Sequence, residues 1–340
     1  MSPTPPSLLP FDDFRNLLAT LPGPDEAAVA AVRERDATLT KPAGSLGRLE
    51  EIAEWLAAWQ GRPPAITRPL VAVFAGNHGV VERGVAAFPP AVTRAMVDNF
   101  AAGGAAINQL CIANDLGLKV FDLALDVPTA DFTTAAALEE KDCAATMAFG
   151  MEAIAGGTDL LCIGEMGIGN TTSAAAMLCA LHGGEAADWV GPGAGADKEQ
   201  MARKRDAVAA GLMLHRRHLG DPFEVLRRLG GREIAAMTGA ILAARFQHVP
   251  VLIDGFVATA AASVLHRANP AALDHCMMAH VSAEPAHRRA VEALGKRPIL
   301  DLDMRLGEGS GAAVAAGIVK AAALCHTGMA TFEQAGISVG

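Results

Sequence analysis

The chain has 340 residues, 51% of them apolar and only 4% aromatic, with a formal net charge of −9. That length suits one large α/β domain, alone or with a small helical appendage. Its basic residues are scattered, with no basic stripe interleaved with aromatics, which argues against nucleic acid as a partner. Backbone amides can still hold an anion in an acidic protein.

Residues 1–24 are Pro-rich and expected to order only where Phe11, Phe14, Leu17 and Leu18 find a partner. The first residues have neither the charged start nor the apolar core of a signal peptide, so a cytoplasmic protein is expected. Ala and Val spacing over 26–35 predicts a helix. The turn Lys41-Pro-Ala-Gly-Ser-Leu-Gly-Arg-Leu-Glu50 follows, with Ser45 expected to cap a helix through Leu49, Ile52 and Trp55 to Trp59.

Six short apolar segments come next, at 70–74, 119–123, 159–163, 249–253, 276–281 and 299–302, each ending in a polar or Gly-rich cluster. Helical patterns separate them, as at 93–110, 172–181, 198–217 and 233–247. Continuous apolar strands alternating with helices predict a parallel sheet covered on both faces. Ligands bind beyond the carboxyl ends of such strands. Those ends collect Asn77, His78, Asp122, Glu165, Asp254, Ser282 and Glu308. The longest apolar stretch, 312–325, is broken by Lys320 and too short to span a bilayer.

Four features could carry chemistry. Gly164-Glu-Met-Gly-Ile-Gly-Asn-Thr-Thr follows a strand and opens a helix. Gly167 and Gly169 would let backbone approach an anion, and the N–H groups from Asn170 through Thr171 to Thr172 would favour a phosphate. The same residues also suit a tight turn capped by Thr. Neither a dinucleotide fingerprint nor a Walker loop is present. Gly191-Pro-Gly-Ala-Gly-Ala-Asp197 is a second flexible loop, and Lys204 in the next helix either aims back at it or lies on a solvated face. Glu308 stands between Gly307 and Gly309 at a strand-to-helix junction, uncovered by its neighbours and able to act as a general base, or to cap the helix that Gly311 opens. Glu165 is a second strand-end carboxylate with which it could share acid–base work.

The histidines His78, His280 and His287 lack zinc spacing and are expected to be loop hydrogen-bonders or helix caps, with no tightly bound metal. Cys111, Cys143, Cys162, Cys179, Cys276 and Cys325 include no CxxC pair and are expected to be reduced thiols.

Taken together and in order, Lys41-Pro-Ala-Gly-Ser-Leu-Gly, Ala75-Gly-Asn-His-Gly, Gly103-Gly-Ala-Ala-Ile-Asn, Gly164-Glu-Met-Gly-Ile-Gly-Asn-Thr-Thr, Asp254-Gly-Phe, Ser282-Ala-Glu-Pro-Ala-His and Arg305-Leu-Gly-Glu-Gly-Ser-Gly carry a family resemblance. The chain resembles the nicotinate-nucleotide–dimethylbenzimidazole phosphoribosyltransferases of cobalamin nucleotide-loop assembly, from about residue 38 to 317. The resemblance implies a Rossmann-like large domain (66–314) with a six-stranded parallel sheet, a small helical domain built from 1–65 and 315–340, and a homodimer. It implies transfer of phosphoribose from nicotinate mononucleotide to dimethylbenzimidazole or a related base, giving α-ribazole 5′-phosphate and nicotinate, without a cofactor. By motif position Glu308 would be the base. Glu165, Lys204, Ser282, Arg305, Leu306 and the loops around Gly167, Gly169, Asn170, Thr171 and Gly193 would bind substrate.

The chain departs from the family pattern at several places. Asn77 stands where Asp is common. Ala86, Phe88 and Pro90 replace Ser, Tyr and Gln near the expected azole pocket, which predicts a more apolar pocket. Pro192 and Ala194 replace the usual Arg and Thr. A non-catalytic relative binding nucleotide or azole, and a nicotinamide-dependent oxidoreductase, are the alternatives; the missing fingerprint argues against the second.

Overall fold

The computed structural model describes residues 9–338. Pro3, Pro5 and Pro6, and the outer ends of the expected small domain, lie outside the described residues. Asp12–Ala19 (α1), Glu26–Asp36 (α2) and Arg48–Gln60 (α3) lead into Pro69–Ala75 (β1). Ala91–Ala101 (α4) and Ala106–Asn114 (α5) cross to Gly117–Asp122 (β2), and Glu140–Ala153 (α6) to Leu160–Met166 (β3). Asn170–His182 (α7), Ala186–Trp189 (α8), Lys198–His215 (α9), Pro222–Leu229 (α10) and Arg232–Phe246 (α11) precede Val251–Ile253 (β4). Phe256–Ala268 (α12) leads to Cys276–Val281 (β5), His287–Ala293 (α13) to Pro298–Asp301 (β6), and Ser310–Gly328 (α14) follows.

The six strands form one sheet in the order β2-β1-β3-β4-β5-β6, every neighbouring pair parallel. The order reverses between β1 and β3. At such a switch point the loops leaving the two strands diverge and open a crevice, which is where open α/β sheets bind ligands. The end of β1 and the end of β3 are therefore the places to look for a site.

Strand alternation sorts the core onto two faces. Leu70, Ala72 and Phe74 of β1, with Leu161 and Ile163 of β3, join one apolar cluster that includes buried residues of α6, α7, α11 and α12. Val71, Val73, Leu160 and Cys162 point the other way, to α3, α5 and α14. Both faces are covered at the centre of the sheet, as expected. At its edges β2 and β6 stay partly exposed, because a terminal strand has neighbours on one side only. α14 has the length and hydropathy to cross a bilayer, but half of it is buried and it packs on the sheet.

Two local expectations give way. The stretch 93–110 is two helices, broken where Gly103 takes φ 79° and Asn108 Oδ1 accepts from the Ala105 amide at 3.0 Å. Ser45 does not cap α3, which starts after Gly47 at φ 52° with no side-chain cap. Instead Lys41 Nζ bridges Asp36 and Glu50 at 2.8 and 2.7 Å, which fixes the turn from behind. At the N-terminus Phe11 stacks on Phe223 with ring centroids 5.3 Å apart, and Phe14 and Leu18 are buried.

Candidate functional site

The loop from β6 into α14 is built on unusual backbone. Gly307, Glu308 and Gly309 have φ of 80°, 62° and 77°. Glycine takes this region freely, but at Glu308 it is strained by roughly 1–3 kcal/mol. The bend brings the loop onto β3, where the Glu308 amide donates to Glu165 O at 3.2 Å. Gly164 permits the approach, since a Cβ there would lie 2.4 Å from the Gly309 nitrogen.

The first amides of α14 need acceptors. Asp254, just beyond β4, provides one: its Oδ1 accepts from the Ala312 amide at 2.9 Å. Glu308 is therefore not the cap of the helix it precedes. Nor is it uncovered, as its glycine neighbours suggested. It is 5% exposed, because the turn that those glycines allow folds its side chain inward. Its Oε2 has no hydrogen-bond partner. Burial pushes its carboxyl up to about 7. An unpaired, desolvated carboxylate of that pKa is suited to take a proton near neutral pH.

Glu165 is half-buried at the end of β3. It accepts a hydrogen bond from the Asn170 side chain. Desolvation of its carboxyl, then the charges of Glu233 and Asp254, push it up to about 8. Burial likewise pushes Asp254 up to about 7.

Asn170 is the first residue of α7, so Glu165 links the carboxylates to a second group of residues. Lys204, from α9, is 1% exposed, which excludes a solvated face. Its Nζ donates to Thr171 Oγ1 at 3.0 Å and to Gly191 O at 2.6 Å. Burial lowers it to about 8. Arg305 Nη1 donates to Gly193 O at 2.7 Å. Glu284, 4% exposed, accepts from the Gly193 amide at 3.1 Å, and its own amide donates to Ser282 Oγ at 3.2 Å. Thr171, Gly193, Lys204, Ser282 and Arg305 thus meet around one loop. Glu284 lies within the Ser282-Ala-Glu-Pro-Ala-His motif, yet sequence reasoning missed it. Its signal was its place two residues after Ser282, beside a loop whose amides need an acceptor.

A small cavity of about 50 Å³ lies here. Ala86 and Phe88 form one wall, Gly167, Gly169, Asn170 and Thr171 another, and Pro192, Ala194 and Lys204 a third. Ligand clefts usually hold roughly 300–1,000 Å³. This one is closed down because α9 grips the opposing loop: Gln200 Nε2 donates to Ala86 O at 2.9 Å and Arg203 Nε to Gly84 O at 2.7 Å. Pro90 does not line it and instead starts α4. Glu308, Ser282 and Leu306 are not in its wall either; Leu306 is 55% exposed. Asp122 stays outside the group, paired with Arg94 at 2.8 Å on the sheet edge. A larger cavity of about 650 Å³ lies toward the opposite end of the sheet, where its cations Arg62 and Lys320 already have partners in Asp159 and Asp115.

His78 and His287 are hydrogen-bonders within the fold, whereas the buried Nδ1 of His280 has no partner. His287 Nε2 meets Thr259 Oγ1 at 2.8 Å and its Nδ1 accepts from the Ser282 amide at 2.7 Å. His280 lies 3.7 Å from Asp254.

A glycine-rich helix start, a buried lysine and a buried carboxylate without a partner thus gather at the switch point of a parallel sheet in an α/β protein. A family profile described as "Phosphoribosyltransferase" matches residues 21–337. The nicotinate-nucleotide–dimethylbenzimidazole phosphoribosyltransferases of Rhizobium meliloti (strain 1021) and Sinorhizobium medicae (strain WSM419) are each 72% identical over 330 residues, spanning 97% of this chain and 98% of theirs. The crystal structure of the nicotinate-nucleotide–dimethylbenzimidazole phosphoribosyltransferase from Thermus thermophilus superposes with a TM-score of 0.83 at 42% identity, covering 93% of this chain and all of that one. A structure of CobT from the same organism gives 0.85 at 43% identity, covering 92% and 100%. The chain belongs to the nicotinate-nucleotide–dimethylbenzimidazole phosphoribosyltransferase family.

Proposed function

We propose that the protein transfers the phosphoribosyl group of nicotinate mononucleotide to dimethylbenzimidazole or a related base. The observation that carries the mechanism is the Glu308 carboxyl, buried, unpartnered and relieved of capping duty by Asp254. The azole ring nitrogen attacks the ribose anomeric carbon with its lone pair. The bond to nicotinate breaks, and its electron pair neutralises the pyridinium, so the leaving group needs no acid. The azole N–H proton passes to Glu308. Attack from the face opposite nicotinate inverts the anomeric carbon and gives the α-nucleotide.

The amides at the start of α7, with Lys204 and Thr171, are suited to the phosphate. Glu165, Ser282, Arg305 and the Gly193 loop would line the nucleotide, and Leu306, Ala86, Phe88 and Pro90 the approach of the base. The apolar side chains of that approach favour an aromatic base with few polar substituents. The cavity must widen to admit both substrates, and release of the 84–88 loop from Gln200 and Arg203 would do this.

The small domain (1–65 with 315–340), the homodimer and the cytoplasmic location belong to the same reading. Arg35 donates to the His326 and Met329 carbonyls, each at 3.0 Å, which supports one unit built from both chain ends. Analytical ultracentrifugation tests the dimer. For the reaction, the protein is incubated with nicotinate mononucleotide and dimethylbenzimidazole, and free nicotinate is followed by chromatography. Release that depends on both the base and Glu308 is expected; its absence, with Glu308→Gln like wild type, overturns the reading.

A further inference from the structure

A buried Ser–His–carboxylate row lies against the first turn of α7. His78 is 2% exposed, and Ser173 and Glu233 are 0% exposed. His78 Nε2 stands 2.5 Å from Glu233 Oε1, and its Nδ1 3.0 Å from Ser173 Oγ. Such an order of groups activates a nucleophile when the serine meets substrate. Ser173 is sealed inside the protein, so here the row can only hold position.

What it holds is the start of α7. Ser173 lies three residues after Asn170, so the two side chains share one helix face. Both are tied to carboxylates: Asn170 directly to Glu165, and Ser173 through His78 to Glu233. The row joins the loop after β1, the start of α7 and the start of α11, the elements that flank the switch point. Two glycines press on it. A Cβ at Gly76 would lie 2.3 Å from Glu233 Oε2, and one at Gly231 2.2 Å from His78 Cε1.

We propose that His78 and Glu233 are positioning residues for the transfer: with Ser173 they fix the first turn of α7, and so set Asn170 and Thr171 against the nucleotide phosphate. Glu233 has a second effect through its charge. Around Glu165 stand Asn170 from α7, Glu233 from α11, Asp254 from the end of β4 and Glu308 from the loop into α14. After burial, Glu233 is the strongest of these in keeping Glu165 protonated.

The inference rests on the phosphoribosyl reading, so the test separates the two. Wild-type protein that releases no nicotinate sinks that reading. Calorimetric titration with nicotinate mononucleotide reads the positioning without turnover. Glu233→Gln keeps the shape and loses the charge; Glu233→Asp keeps the charge and loses the reach. Positioning through charge predicts that Glu233→Gln lowers kcat/KM by roughly 10- to 100-fold and, by removing a charge that keeps Glu165 protonated, moves the alkaline limb of kcat (Lys204 acting on KM instead) to lower pH, while Glu233→Asp keeps that limb in place. A purely structural role predicts the reverse ranking, with Gln like wild type. Ser173→Ala leaves the buried His78 Nδ1 without its partner, so it is expected to lower Tm as well as weaken nucleotide binding. Glu233→Gln with a wild-type pH profile, or Ser173→Ala with wild-type affinity for nicotinate mononucleotide, overturns the proposal.

Discussion

Asp254 caps a helix it does not belong to: its Oδ1 accepts a hydrogen bond from the amide of Ala312, 58 residues further along, at 2.9 Å. This bond fixes where α14 begins and leaves the Glu308 carboxyl unengaged. Asp254→Ala is expected to destabilise the fold by about 1–3 kcal/mol, through a lost cap and a buried amide without an acceptor. Urea unfolding measures it. Asp254→Asn keeps an acceptor oxygen and is expected to lose less. Weakening the cap loosens the Glu308 turn, so kcat should fall in the same order as stability.

Glu308→Gln keeps the volume and removes the base. kcat is expected to fall by ~10²–10⁴, with KM for nicotinate mononucleotide little changed and no loss of Tm. In the wild type the base must be ionised, so kcat/KM should rise with pH through about 7, the value to which burial raises Glu308. A stopped nicotinate-release assay across pH 5–9 reads both. An acid limb near the ordinary carboxylate value of 4.5 contradicts the assignment.

Glu165 makes a prediction about stability. Its pKa is raised from 4.5 to about 8, chiefly by burial. The folded state therefore holds its proton more tightly than the unfolded state does. The stability this provides is complete below about pH 4.5 and is lost as pH rises through about 8. Glu165→Gln, which cannot ionise, should then gain Tm over wild type at pH 9 while matching it at pH 5. Thermal melts at the two pH values decide it, and an equal shift at both runs against it.

Lys204 carries its charge in a buried place, where it reaches Thr171 and the Gly191 carbonyl. Lys204→Met removes the charge and keeps the stem. Charge-assisted hydrogen bonds are worth about 1.5–3 kcal/mol, so KM for nicotinate mononucleotide should rise roughly 10- to 100-fold. Because burial lowers Lys204 to about 8, the wild-type KM should also climb above that pH, and the variant's should not. Initial rates at pH 7 and 9 provide the comparison.

Much of this molecule was legible in the chain alone. The six strands stand where apolar runs met glycine or polar clusters, because strand and turn preferences are local. The glycine-rich loops at 167–169 and 191–195, and the motifs that mark the family, are local in the same sense. Misreadings came where locality fails. Ser45 was placed as a cap by its neighbours, yet the turn is held by the Lys41 bridge to Asp36 and Glu50. The stretch 93–110 kept a helical pattern across Gly103 and Gly104, where the backbone turns.

The sequence by itself determined which residues stand at the ends of the strands, since strand ends and turns are written in adjacent residues. Only the tertiary structure decided what those residues do to one another. Glu308 lies inside because its turn folds onto β3, and it is free because Asp254 takes the cap. Lys204 is buried because the 191–193 loop closes over it, and His78 finds Glu233 across 155 residues of chain. Burial and partnership are set by groups distant in sequence, and they fix both the charge state and the freedom of a side chain.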